Sequence, residues 1–598
     1  MAQAEHEGTT DAVRSRNRRL LQGAVRAGRQ RYDQTLGLIA YHAPPRRDGG
    51  HVAQESLPYA VALAETGGDP QVVRRIVGAT LQYQDRRPHS YSYGNWFWMH
   101  NWDQVRDPNA VSFLVPHYWH LLTNHAAILG ADLVARIREA LDLAVQGILG
   151  HRCQWAYSNI YLLNILCKLQ IGQVLDQPRV RDLGYWDFEE WLSYTGRFGI
   201  PEYNSPTYTA VQIRALECML EVPADAVFHA QVRKVLQLYY TDLFLHYHPA
   251  SGQFAGTKSR QYDHVLHSGR GDVHTLLFRQ TGSPEPADSL SNVDYALSAY
   301  AVDPGVLALV HDKTLPLWIS MAAGNGQVSR RVWMTPDYAL STQSGGRYGA
   351  SDVQLEILYG SGERAGSAHL RGDPPTFELF CEQDRNLVAA AVRWRFWPLP
   401  ERDEQAPPVH VAPLPVAFGS DYVPPQHSEV VLLLTVAYRA SRPRAWVADQ
   451  AWDGTAIAVR SADPLVVQAG DVLLGYRGAG SAAGVLQWVQ DRLTLCLTVR
   501  APVAPPWVLA HPFMLVVETK TDAGSAEAMR GRMGSARLSA RRKGVVLHVR
   551  ASYEGRVLRA DVPTRPRSLL RAGAHHLPQG RLVPAVQGPS PLSLWSEF

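Results

Sequence analysis

In the first half of the chain the apolar positions recur at the spacing of a helix. Val134, Ile137, Leu141, Val145 and Ile148 follow one another at intervals of three and four, and Phe228, Val232, Val235, Leu236 and Tyr239 share a face in the same way. Breaks rich in proline and glycine, such as HAPPRRDGG and the turn before Pro223, separate several such segments between about residues 17 and 280. After the polar stretch TGSPEPADSLSN (281–292) the period falls to two. Leu493, Leu495, Leu497 and Val499 alternate with Thr494, Cys496 and Thr498, and SEVVLLLTVAYR (428–439) and GVVLHVR (544–550) are β-branched runs bounded by turn formers. The pattern predicts a multidomain chain, α then β. A flexible N-terminus (1–16) leads into an α/α toroid or incomplete barrel (17–285). An antiparallel β-sandwich (286–475) follows, and 476–598 is either a C-terminal β domain or a continuation of the sandwich. A Pro-rich insertion, WPLPERDEQAPPVHVAPLP, interrupts the β half at 397–415.

Composition narrows the function classes. The chain has 598 residues, 46% of them apolar and 19% charged, which is ordinary for globular domains and too long for one core. The formal charge of +4 is spread over both signs, so nucleic-acid binding is not expected. Cys153, Cys167, Cys218, Cys381 and Cys496 are widely spaced with no C-x-x-C pair, which argues against a disulfide framework or a zinc knuckle. The N-terminal residues lack an apolar leader segment and no window of about 18 residues is apolar throughout, so the expectation is a cytoplasmic protein with no membrane partner. Nothing in the sequence sets the oligomeric state.

Four stretches of the helical half carry the unusual residues. YSYGNWFWMHNWDQVRDPNAVSFLVPHYWHLL (91–122) holds Trp96, Trp98, Trp102 and Trp119 beside Asn95, His100, Asn101 and Asp103. Aromatic faces stack on sugar rings, so the cluster reads as either a carbohydrate cleft or an aromatic core. In QWAYSNIYLLNILCKL (154–169), Asn159 and Asn164 interrupt an apolar helix, and each amide must find a partner. In GIPEYNSPTYTA (199–210), Pro201 and Pro206 stiffen the chain around Glu202, Tyr203, Asn204 and Ser205, and Tyr208 then enters the next helix near its N-terminus. Asn204, Ser205 and Thr207 are equally suited to capping that helix. The fourth, GQFAGTKSRQYDHVLHSGRGD (252–272), gathers Lys258, Arg260, Tyr262, His264, His267 and Arg270 in one loop.

In this order the four stretches resemble the α-toroid plus β-sandwich polysaccharide lyases, the class that includes chondroitin AC, hyaluronate and xanthan lyases. The counterparts are Asn95 and Trp96 with the aromatics after them, Asn159, Tyr208 in TYTA, and Ser259 with Arg260. The likeness covers about residues 90–270 in motif order. The resemblance implies an enzyme that cleaves an acidic, uronate-containing oligosaccharide or polysaccharide by β-elimination. Asn159 and Arg260 would neutralise the uronate carboxylate, and Tyr208 would move the proton, with Glu202, Tyr262 or His264 as a second proton carrier. Asn95, Trp96, Trp98, His100, Asn101, Trp102, Asn204 and Lys258 would line the substrate cleft. The histidine that precedes the tyrosine in those lyases has no clear equivalent; Glu202 and Asn204 stand in its place.

Two other readings compete. A glycoside hydrolase needs two carboxyl groups about 5–10 Å apart, and Asp103 or Asp107 with Glu202, or Glu189 or Glu190, can supply them. A non-catalytic carbohydrate-binding protein would use the same aromatics without turnover. No cofactor is expected. His246 and His248, two apart, would not share a helical face, whereas His264 and His267 could, and a structural or charge-neutralising calcium or zinc ion stays open.

Overall fold

The structure, a computed structural model, describes residues 2–41, 50–261, 271–323, 328–345, 352–373, 377–396, 429–438, 441–480, 482–500, 507–564 and 585–587. The chain divides into two compact units. The first comprises Met1–Tyr194, Pro206–Tyr240 and Arg270–Leu307, and the second Thr195–Ser205, Thr241–Gly269 and Ala308–Phe598. No described helix is long and apolar enough to cross a membrane.

The first unit is helical: α1 (Ala2–Arg31), α2 (Ala53–Glu65), α3 (Pro70–Thr80), α4 (Ala110–Leu129), α5 (Ala131–Gly150), α6 (Ser158–Val174), α7 (Pro178–Phe198), α8 (Tyr208–Glu221), α9 (Ala226–His246), α10 (Asp272–Thr281) and α11 (Asn292–Ala296). The boundary with the second unit falls inside α7 and α9. Residues 1–16, expected to be flexible, belong to α1. The fully buried Val13 and the buried Asn17, whose amide donates to Ser298 O at 2.7 Å, tie this helix down. The helical segments also run on past residue 285, through α11 to a short helix at Pro304–Ala308. One apolar core joins α1 to α6 with α10 and α11, and in it Ile137, Leu141 and Ile148 of α5 are buried as their spacing requires.

Helix directions follow from side-chain contacts. Gly172 of α6 lies against Arg181 of α7, and Lys168 pairs with Asp187, so α6 and α7 are antiparallel. Tyr185 meets Phe228, and Trp191 meets Tyr239, so α7 and α9 are parallel. His229 of α9 bonds Val222 O beyond the end of α8, and Tyr239 donates to Gln212 at 2.7 Å, so α8 and α9 are antiparallel. It follows that α6 and α8, which pack on each other, run parallel.

The second unit is a β-sandwich. Its ten-stranded antiparallel sheet includes β1 (Leu317–Ala323), β2 (Val328–Met334), β3 (Tyr338–Gly345), β4 (Leu355–Tyr359) and β5 (Gly366–Asp373) in adjacent positions, continued by Glu429–Tyr438 and Arg492–Arg500. A seven-stranded sheet contains Phe377–Asp384, Leu387–Phe396 and Trp507–Thr519. The alternating residues Leu493, Leu495, Leu497 and Val499 enter the core between the sheets, opposite Val388, Ala390 and Val392. The strand Val472–Gly478 runs through residue 475 inside the seven-stranded sheet, so the sandwich continues across that point. A helix Ala526–Ser535 and a three-stranded sheet built from Arg537–Lys543, Val546–Tyr553 and Arg556–Pro563 cover its outer face. The Pro-rich insertion at 397–415 lies outside the described residues.

Candidate functional site

The parallel run of α6 and α8 puts two of the expected residues at one end of the helical unit. Tyr239 bonds Gln212 and meets Trp191, and one turn earlier on α7 Asp187 bonds Tyr161. Tyr208 lies four residues before Gln212 and Asn159 two before Tyr161. Both therefore stand in the first turn of parallel helices that pack on each other. Asn159 is fully buried and Tyr208 is partly exposed.

A third helix points the same way. Asn109, just before α4, donates its amide to the hydroxyl of Tyr157, just before α6, at 3.1 Å, and Ser112 reaches Asn164 further in. The positive ends of α4, α6 and α8 therefore share one end of the unit, and their dipoles favour an anion there.

Two residues that sequence reasoning passed over belong to this end. His151 bonds Asn109 Oδ1 through Nε2 at 2.8 Å, and burial pushes its pKa down to about 4, which keeps the ring neutral. Asp272 starts α10, tied to the approach to α8 by the bond from Val273 N–H to Pro206 O at 3.1 Å. Burial, with the nearby charge of Asp294, pushes its carboxyl pKa up to about 6 despite a hydrogen bond from Tyr295. The signals were present, as HRC ahead of α6 and as the last residue of an RGD triplet, but neither spacing names a partner.

The aromatic stretch divides between core and surface. Trp96 has no exposed area and packs against Tyr118 at 5.7 Å, so it is a core residue and not a subsite wall. Asn95 is also structural: its Oδ1 accepts from Trp96 N and Val111 N, and its amide donates to Pro108 O. In this way it caps the start of α4, a role that the amide's neighbours in sequence did not reveal. Trp98 is half-buried against Phe113 and donates to Asp107 O. His100 accepts from His51 N at 3.0 Å, and burial lowers its pKa. Asn101 is exposed, and Trp102 lies under the Arg106 guanidinium at 5.2 Å. These last two keep the surface that a sugar could reach.

The loop residues of the second unit form a different arrangement. Glu202 is fully buried and takes the Arg260 guanidinium at 2.8 Å. Arg260 has a φ of +49°, and its N–H donates to Asp352 Oδ1 at 3.0 Å. Asn204, at φ +46°, donates to Ala255 O and Thr257 O. Lys258 is buried with its ammonium on Glu356, while its backbone pairs with Val353. Tyr203 donates to Gln343 at 2.6 Å beneath the Arg330 guanidinium, and Ser259 bonds its carbonyl. Asn204 and Lys258, expected in the cleft, thus have internal partners that hold two loops to β3 and β4. Tyr262, His264 and His267 lie outside the described residues.

The carboxylates expected of a hydrolase are also accounted for. Glu202 is committed to Arg260, Asp103 is exposed beside Arg106, Asp107 accepts from Asn109 N, and Glu189 and Glu190 are exposed. His246 bonds Asp242, and His248 bonds Ser251 and Thr335 O, so neither pairs with the other. In the second unit a cavity of about 440 Å³ is lined by Trp333, Tyr338, Arg385 and Arg532 among others, but Glu518 and Glu554 already engage Arg532.

Comparison with known proteins finds one family model that matches part of the chain. Residues 18–282 match the model of a family described as a domain of unknown function (DUF8769). No curated protein matches the chain. Among solved structures, the heparan sulfate lyase HepC from Pedobacter heparinus is similar at 11% identity over 90% of this chain and 89% of that one, with a TM-score of 0.36. A heparinase III gene product is similar at 10% identity over 91% and 90%, with a TM-score of 0.32. These are heparinase-type lyases, whereas the motif order resembled the chondroitin AC, hyaluronate and xanthan lyases, and at this level the likeness assigns no residue a role.

Proposed function

We propose that this chain is a polysaccharide lyase that cleaves a uronate-containing glycan by β-elimination at the end of the helical unit where α4, α6 and α8 begin. The supporting observation is that Asn159 and Tyr208 both stand in the first turn of parallel, packed helices at that end, where three helix starts share one side. The chemistry needs both features. Removing the proton at C5 of a uronic acid throws negative charge onto its carboxylate, and an electropositive, preorganised environment stabilises that charge. The bond from C4 to the leaving oxygen then breaks, C4=C5 forms, and the leaving oxygen takes a proton.

A phenol with an ordinary pKa near 10 is well matched to the last step, and with the positive helix ends nearby it can also take the C5 proton. Tyr208 is a partly exposed phenol at this end, as is Tyr157, whose hydroxyl already accepts from Asn109. Asn159 is covered, so it meets a carboxylate only as its neighbours shift on binding. Arg260 belongs to the second unit, where the buried Glu202 fixes where its guanidinium points. Glu202 itself serves as an anchor and not as a proton donor.

The test is a panel of uronate-containing glycans, heparan sulfate among them, assayed for the ultraviolet absorbance of an unsaturated uronate. Appearance of that absorbance with the wild-type protein, and its loss in Tyr208→Phe, is expected. New reducing ends without the absorbance would point to hydrolysis, and binding without any product would make the chain a carbohydrate-binding protein.

A further inference from the structure

A separate set of residues in the helical unit converges with no part in the chemistry above. Glu65 is the last residue of α2, and His120 and His125 lie on α4. Both imidazoles direct Nε2 at one carboxylate oxygen of Glu65, at 2.7 and 2.8 Å, and the three potential ligand atoms all lie within 4.8 Å of one another. On a regular helix, residues five apart point about 140° away from each other. Here the backbone breaks at His125, with φ −133° and ψ 25°, and this break turns the second ring onto the same oxygen as the first. The rings end 5.7 Å apart, centre to centre.

We propose that Glu65, His120 and His125 form a binding site for a divalent transition-metal ion of the zinc type. Two imidazole nitrogens and one carboxylate make up a three-ligand set that leaves the fourth tetrahedral position to solvent. The partial exposure of Glu65 and His125 leaves the ion a route in. Ligand atoms around such an ion stand about 3.3 Å apart when each bond is about 2.0–2.1 Å long. The Glu65 contacts therefore need to open by only about half an ångström. Asn124 supplies the outer contact: its side-chain amide faces Nδ1 of His120 at 3.2 Å. Turning that amide over presents its oxygen to an Nδ1–H, which frees Nε2 as a metal ligand. A bound ion would pin the end of α2 to the broken end of α4, and the proposal does not depend on the lyase reading.

The experiment uses the full chain stripped with a chelator and titrated with Co²⁺, then with Zn²⁺. We expect one equivalent of Co²⁺ to develop a visible ligand-field band, Zn²⁺ to abolish it, and Zn²⁺ to raise the Tm. His125→Gln and Glu65→Gln should remove the band and the Tm rise while leaving the far-ultraviolet circular dichroism unchanged, and Asn124→Ala should weaken binding roughly tenfold. Absence of a band and of a Tm rise in the wild-type protein would overturn the proposal. So would unchanged stoichiometry and affinity in both His125→Gln and Glu65→Gln, because the ion would then be held elsewhere.

Discussion

Two regions of the molecule treat polar residues in opposite ways. In the sandwich unit Glu202 with Arg260, Lys258 with Glu356 and Arg393 with Glu378 are closed pairs, each with at least one buried partner; the first joins the loops at 202–204 and 256–260, the second docks them on β4, and the third ties two strands together. At the end of the helical unit the polar groups instead stand at helix starts, beside backbone N–H groups that have no partner within their own helix. A lysine or a glutamate in a loop says little by itself about chemistry; whether its charge is available depends on what the fold sets against it. The first arrangement suits holding a structure together, and the second suits receiving an anion.

Four substitutions or conditions sharpen this contrast. The largest effect is expected for Tyr208→Phe, which should lower kcat by about 10²–10⁴ while leaving the Tm unchanged, measured on whichever uronate glycan is turned over. Lys258→Met should behave in the reverse sense: by stranding the buried Glu356 carboxylate it should cost about 3–5 kcal/mol in urea unfolding, and Lys258→Met with Glu356→Leu should recover much of that.

A third effect depends on pH. Burial pushes the pKa of His151, His248 and His511 down to about 4, below the value of about 6.5 expected in the unfolded chain. Their contribution is thus complete above pH 6.5 and is lost as pH falls toward 4, at about 3 kcal/mol per ring by pH 4. Urea midpoints measured from pH 7.5 to 4.5 should fall accordingly, and His248→Asn should flatten part of the slope. The smallest effect belongs to Trp102→Ala. Its partly exposed ring touches Arg106, and it should cost stability less than about 1 kcal/mol while raising KM for a glycan that stacks there.

Much of the architecture was legible in the sequence because it rests on local periods. Phe228, Val232, Val235, Leu236 and Tyr239 are all buried on α9, and the alternation at 493–499 marks a strand with one face in the core. The interleaving of the units was not legible, since the segments at 195–205 and 241–269 carry no local sign that they join the sandwich. Within the site, Asn159 and Tyr208 were legible as polar residues in odd places, whereas their place at one end of the unit needed the contacts that set the helix directions. Trp96 misled because polar neighbours in sequence need not be neighbours in space: the ring turns inward to Tyr118 while Asn101 stays outside. Asp272 and His151 were missed because a shifted pKa arises from burial, which a single sequence does not display.

The central claim is that a phenol at the shared start of these helices moves a proton during elimination at a uronate. Its most direct test is a single-turnover reaction of wild-type and Tyr208→Phe protein with a uronate-containing glycan, followed by the absorbance of the C4=C5 product. A rise with the wild-type protein that disappears in the variant, with glycan binding retained, is the predicted result. Equal rates in the two proteins would contradict it.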